Sequence, residues 1–270
     1  YSYDIDTEQV STIFSTIKHQ IKEEHLLIVN SKQYKDDVVQ ALCLALEYTS
    51  TIPRLKIGGK NFSHFYKTLE KILKSNRYIS RLHLYHYEKD EHFGDFFSVL
   101  TESTIKELIF ERISLSHQMA ILLFKNFNET EVNQLSFINC SLGPYMIQLL
   151  GSASSFQKLS KFAIDNDKTI QSDDTAIYAS IIEFAAVTSM TSLYLTNLSL
   201  EVSNIFRILT QQEAGLSPKL TTIDLSGCKF QAGLSDTYVF PPTIHTIIMR
   251  NVKWNVENLI RFLGKQEFQN

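Results

Sequence analysis

Apolar residues recur along the chain in one short phase, at the first, fourth and sixth positions of a stretch, with polar residues between them. The phase reads Ile52, Leu55 and Ile57; then Ile79, Leu82 and Leu84; then Ile105, Leu108 and Phe110; then Val132, Leu135 and Phe137. It continues as Leu159, Phe162 and Ile164; Met190, Leu193 and Leu195; Leu220, Ile223 and Leu225; and Ile244, Ile247 and Met249. Alternation over so few residues predicts a short strand with one buried face. A further apolar residue falls ten positions after the first, at Phe62, Leu115, Leu142, Leu200, Phe230 and Trp254; Lys89 interrupts the series, and the fifth copy is displaced by one to Ile170. Helical spacing follows, with Phe96, Phe97 and Leu100, then Ile205, Phe206 and Leu209, then Leu259, Ile260 and Leu263 each making one apolar face.

The eight copies begin at residues 52, 79, 105, 132, 159, 190, 220 and 244, with spacings from 24 to 31. A strand-plus-helix unit repeated at about 27 residues reads as a leucine-rich repeat. The predicted fold is therefore an α/β leucine-rich-repeat solenoid, a horseshoe of eight or nine units with strands on the concave side and helices on the convex side. Residues 1–30 are expected to form a cap or linker. Within them Val10, Ile13, Phe14, Ile17 and Ile21 share one helical face over residues 6–22. HLLIVN at 25–30, with a helix over 36–48, reads as a degenerate first unit, and 31–270 as the repeat domain. The chain starts at Tyr1 and stops just after its last helical pattern without a polar cap, so it is expected to be a piece of a longer protein that continues at both ends.

Composition narrows the partners. At 44% hydrophobic and 20% charged, the chain can bury a sizeable core. A net charge of -3 does not support binding to a phosphate backbone, so no nucleic-acid partner is expected. No apolar run reaches the roughly 18 residues that a membrane span needs. Cys43, Cys140 and Cys228 are few, odd in number and widely spaced, which fits a reducing compartment. Cys140 and Cys228 share the ninth position of their repeats, three strand steps or about 14 Å apart, too far for a disulfide. All three read as structural.

Candidate chemistry is sparse. His83, His86 and His92 match no standard metal spacing. The stretch 165–176 carries Asp165 and Asp167 in a calcium-loop manner, yet has Ile170 where the loop glycine belongs and Ala176 where its glutamate belongs. Asp173 and Asp174 instead suit a helix cap. Gly58-Gly59-Lys60 falls at a strand exit, and no nucleophile-elbow, zincin or P-loop motif is present. No catalytic residue, metal or cofactor is expected.

What remains is the concave face, built from the second, third, fifth, seventh and eighth positions of each repeat. Its candidate partner-binding residues are Arg54, Lys56, Arg81, His83, Tyr85, His86, Glu111, Asp165, Tyr194 and Arg250. Glu107, Asn139, Asn166, Asn197, Asp224 and Asn251 share that face, and Ile109, Ile138 and Ile248 are apolar positions there with no core to fill. Graded charge with aromatic and aliphatic anchors suits a protein partner; the alternative is a solvated sheet face.

Strand consensus of this kind is shared by ribonuclease-inhibitor-like and Ran-GTPase-activator-like solenoids. VVQALCLALEYTSTIPRLKI at 38–57, the long repeat at 171–200 and the approach to LTTIDLSGCKF resemble the leucine-rich-repeat domain of CARMIL-type actin regulators. In that family the domain follows a membrane-binding pleckstrin-homology-like domain and precedes a dimerisation region and a tail that binds actin capping protein. The resemblance implies a protein-binding scaffold in the cytoplasm, at the cell cortex. It implies membrane contact and homodimerisation only through flanking regions, and it assigns no numbered residue a role. A GTPase-activator-like solenoid acting on a small GTPase, and a microbial host-interaction repeat protein, fit the same residues.

Overall fold

The computed structural model describes residues 26–30, 46, 52–58, 66–86, 93–142, 150, 156–170, 180–181, 183–185, 188–211, 219–229 and 243–252. The expected helix at 6–22, Cys43, Phe62, His92, Asp173, Asp174, Phe230, Trp254 and the last helical pattern lie outside the described residues, as does 36–48 apart from Leu46, which is helical and buried. The chain forms two compact units, Tyr1–Ser114 with Lys125–Val132, and Leu115–Phe124 with Asn133–Asn270.

In the first unit the strands are β1 (Leu26–Asn30), β2 (Arg54–Gly58), β3 (Arg81–Tyr85) and β4 (Glu107–Glu111), parallel and paired in chain order. Leu26 pairs with Arg54, Arg54 with Arg81, and Arg81 with Glu107. The register thus carries the same positions of successive sequence copies side by side, and β1 adds the HLLIVN stretch to them as a strand. Parallel neighbours need a crossover, which α1 (Tyr66–Ser75) and α2 (Phe93–Leu100) supply. Leu69, Ile72 and Leu73 form the buried stripe of α1, and Phe96, Phe97 and Leu100 that of α2.

The second unit holds β5 (Gln134–Ile138), β6 (Lys161–Asp165), β7 (Ser192–Thr196), β8 (Thr222–Asp224) and β9 (Thr246–Ile248), again parallel in chain order. Gln134, Lys161, Ser192, Thr222 and Thr246 stand in one register row, so the 27-, 31-, 30- and 24-residue spacings of the copies are absorbed entirely between the strands. α3 (His117–Phe127) spans the division of the chain and is capped by Ser116, whose hydroxyl accepts the Met119 N–H at 3.2 Å. α4 (Val202–Gln211) buries Ile205, Phe206 and Leu209. Both units are therefore mixed α/β, with every described strand parallel. Among the described residues no helix is long and apolar enough to cross a membrane.

The core follows the sequence phase. Leu55, Leu82, Leu108, Leu135, Phe162, Leu193 and Ile223, all fourth positions, are buried, as are Leu115, Leu142, Ile170 and Leu200. In the second unit five phenylalanines meet edge to face in an unbroken series: Phe124 to Phe156 at 4.8 Å, Phe156 to Phe184 at 5.2 Å, Phe184 to Phe162 at 5.0 Å and Phe162 to Phe137 at 6.1 Å. Such contacts add to the area each ring buries.

The strands within each compact unit are tied to one another by a repeated set of main-chain bonds. The second-position carbonyls of Pro53, Ser80, Asn133, Ser160, Thr191 and Thr221 each accept two successive N–H groups of the next unit. Ser160, Thr191 and Thr221 add a hydroxyl bond to the same row at 3.0–3.1 Å. Buried Asn76, Ser103, Thr130 and Thr188 sit just before their strands; Ser103, Thr130 and Thr188 bond back to a helix-end carbonyl, and the Asn76 side chain holds the amides of Tyr78 and Ile79. These are polar groups the core tolerates because each is satisfied.

At the finish, His86, Arg112, Asn139, Asn166, Asn197 and Asn251 have φ of +52° to +58°, and Gly227 has +72°. All are eighth positions. The left-handed residue turns the chain out of the sheet while its N–H still reaches the seventh-position carbonyl of the next unit, as from Asn166 to Thr196 at 3.0 Å and from Gly227 to Arg250 at 2.8 Å. The turn is thus made at the eighth position. The ninth position is a buried plug: Ile113, Cys140, Asp167, Leu198, Cys228 and Val252.

Candidate functional site

The side chains at the third, fifth and seventh positions point away from the core, and on β2, β3 and β4 they meet as one ionic and aromatic group. Glu111 is its centre. Lys56 Nζ donates to Glu111 Oε2 at 2.5 Å, His83 Nε2 lies 2.9 Å from the same oxygen, and Arg112 Nε is 3.9 Å from Oε1. Burial acts to raise the Glu111 carboxyl, but the Lys56 hydrogen bond and charge outweigh it and hold the group below the usual carboxylate range. His83 goes the other way. Burial first, then the Lys56 charge, lowers it to about 4 against the pull of Glu111. It is therefore neutral at pH 7, and its buried Nε2 is close to the carboxylate without hydrogen-bond alignment.

Around this centre Arg81 Nε pairs with Glu107 Oε2 at 3.1 Å, and Lys56 stands 5.1 Å from the centroid of the Tyr85 ring. Arg112 Nη1 lies 3.0 Å from His86 Nε2. Six of the sequence candidates (Lys56, Arg81, His83, Tyr85, His86 and Glu111) are thus on neighbouring strands in one interacting group. Arg54 is half-buried at the start of β2. Glu107 and Arg112 complete the group. Arg112 was absent from the sequence candidates, although it is the one arginine at an eighth position otherwise held by Asn, Gly or His.

Asp165, Tyr194 and Arg250 lie in the second unit and do not form such a group. Asp165 Oδ1 accepts from Thr196 Oγ1 at 2.7 Å and from Asn197 Nδ2 at 2.8 Å. Tyr194 carries Lys161 Nζ 5.0 Å above its ring, a pairing the sequence reading did not anticipate. Arg250 is exposed, and its backbone N–H donates to Ser226 Oγ at 3.0 Å. Asn166 Nδ2 donates to Asn139 Oδ1, so the exposed amides form part of a ladder.

One expectation needs correction. Ile109, expected to be an outward apolar anchor, is 4% exposed; alternation places it on the outer face, yet that face covers it. Ile138 and Ile248 are half-buried. In the stretch 165–176, Asp167 is buried and its carboxylate accepts the Leu142 N–H at 2.9 Å and the Thr169 N–H at 2.8 Å. Cys228 is a buried thiol that donates to the Leu195 carbonyl, Sγ to O 3.0 Å, and burial pushes it up to about 11, far from a nucleophile's range. Among the described residues no group of three His, Cys, Asp or Glu side chains converges to hold a metal ion.

No protein-family model matches the chain, and no curated protein matches it.

Proposed function

We propose that the chain is a leucine-rich-repeat solenoid of the horseshoe type that works as a protein-protein interaction scaffold, docking its partner on the outer face of β2, β3 and β4. The observation that carries this reading is the group centred on Glu111. It joins half-buried cations, carboxylates and an aromatic ring on three adjacent strands, a composition suited to a partner-binding centre. Resemblance to CARMIL-type proteins supports a place in actin-cytoskeleton regulation, with the chain acting as a rigid support beside a capping-protein-binding tail.

The test is affinity capture from lysate of the source cells by the wild-type protein and by a variant with Arg81→Ala, His83→Ala and Tyr85→Ala, both first matched by circular dichroism. Actin regulators recovered by the wild type and lost in the variant support the scaffold. Recovery of a small GTPase in their place would transfer the proposal to the GTPase-activator reading, and identical recovery by both proteins would remove the face from it.

A further inference from the structure

We infer that the strand-exit corner made by His86 and Arg112 recognises the carboxylates of an acidic peptide segment on the partner. This rests on the reading of the β2–β4 face as a docking surface and names what that surface would bind.

Backbone strain is the first observation. Seven described eighth positions have positive φ, and Asn139, Asn166, Asn197, Asn251 and Gly227 fill five of them with residue types that adopt this conformation at little cost. Histidine at 86 is also tolerated there, but arginine at 112 is not favoured. A strained residue persists where its side chain does something the relaxed one would not. Here it places a guanidinium, 56% exposed, with Nη1 3.0 Å from His86 Nε2 at the rim of the ionic group.

Charge is the second. Glu107 and Glu111 are already engaged, by Arg81 at 3.1 Å and by Lys56 at 2.5 Å. Among the described residues of the group, Lys56, Arg81 and Arg112 set three cations against those two carboxylates, which leaves +1. The whole chain is -3, so the remaining residues sum to -4. An anionic segment is therefore attracted here and repelled by the rest of the molecule, which gives orientation as well as affinity.

Spacing is the third. The cations stand on consecutive strands about 4.8 Å apart, while alternate residues of an extended peptide are about 6.8 Å apart. A segment crossing the strands with acids at alternate positions meets more than one cation, and the half-buried Tyr85 ring lies within the same group.

The test is fluorescence anisotropy with a labelled peptide of alternating Glu and Ser, run beside its Gln-Ser and phosphoserine counterparts. Arg112→Asn restores the residue that other corners use, so its Tm is expected to be unchanged or higher, while affinity for the Glu peptide falls by on the order of tenfold. The Gln peptide is expected to bind the wild type as weakly as the Glu peptide binds that variant. Failure of every peptide to bind, equal binding of Glu and Gln peptides, or Glu-peptide binding untouched by Arg112→Asn would each overturn the corner. So would a lower Tm, which would make Arg112 a structural residue, or binding restricted to the phosphoserine peptide. Binding that appears only after Glu88→Gln, Asp90→Asn and Glu91→Gln would assign the corner to the chain's own acidic stretch. If the triple variant at 81, 83 and 85 loses its captured partner while Arg112→Asn keeps it, the docking face stands and the acidic-peptide corner falls.

Discussion

Replacing Gly227 by alanine strikes two interactions that can be measured separately. The first is backbone conformation: at φ +72° a Cβ costs about 1–2 kcal/mol. The second is steric. The new Cβ would overlap Asn197 Oδ1 and stand 3.0 Å from Asn197 Cγ and 3.2 Å from its Cα. Turning the Asn197 amide aside breaks its bond to Asp165 Oδ1, 2.8 Å long, at a further cost of about 1 kcal/mol at this exposed position. Gly227→Ala should therefore destabilise the protein by about 2–3 kcal/mol. In an Asn197→Gly background the amide and its bond are already gone, and only the backbone cost and the 3.2 Å approach to the Cα remain. The double-mutant cycle should show coupling of about 1 kcal/mol, read from urea unfolding followed by far-ultraviolet circular dichroism at matched m-values. Additivity within about 0.5 kcal/mol would refute the steric argument.

Phe162→Ala, at the centre of the phenylalanine series, should cost about 3–5 kcal/mol in the same assay, and Phe162→Leu markedly less. Cys228 should resist a thiol reagent in the native protein and react fully in denaturant. Because its folded pKa is raised from 9.0 to about 11, its contribution is intact below pH 9 and fades between pH 9 and 11, on the order of 1–3 kcal/mol, and Cys228→Ala should flatten that alkaline slope. His83 has the opposite sign. Its folded pKa of about 4 lies below the ordinary 6.5, so stability should fall as pH drops from 6.5 toward 4, and His83→Gln should remove that phase of an acid titration of Tm.

The strands were legible in the sequence because burial alternation is a local property: the residues assigned to the fourth position, from Leu55 to Ile223, are those in the core. The eighth-position turn was not legible. Nothing in the neighbourhood of Arg112 announces a positive φ, which becomes visible only when its corner is set beside those of Asn139 and Asn166. The face of Ile109 was foreseen but its burial was not, since alternation assigns a side and the lengths of neighbouring side chains decide the cover. The ionic group was only half visible. Its members were named as singles, but Glu111 accepts from a lysine 55 residues away and His86 touches an arginine 26 residues away, pairs that exist only once the register is known.

The uniform second-position carbonyls carry a consequence for fidelity of assembly. Main-chain bonds between successive repeats are the same at each of these six steps, so the backbone alone does not distinguish a strand's proper neighbour from the one after it. A skipped or exchanged unit would satisfy nearly the same donors and acceptors, a hazard common to repetitive chains. Discrimination must therefore come from side chains that are not interchangeable. The five phenylalanines fit one another in a single sequence of positions, and Asp167 closes a backbone amide at Leu142 where equivalent plugs offer only a thiol or a hydrocarbon. Those irregularities are what would fix the order of pairing along an otherwise monotonous backbone.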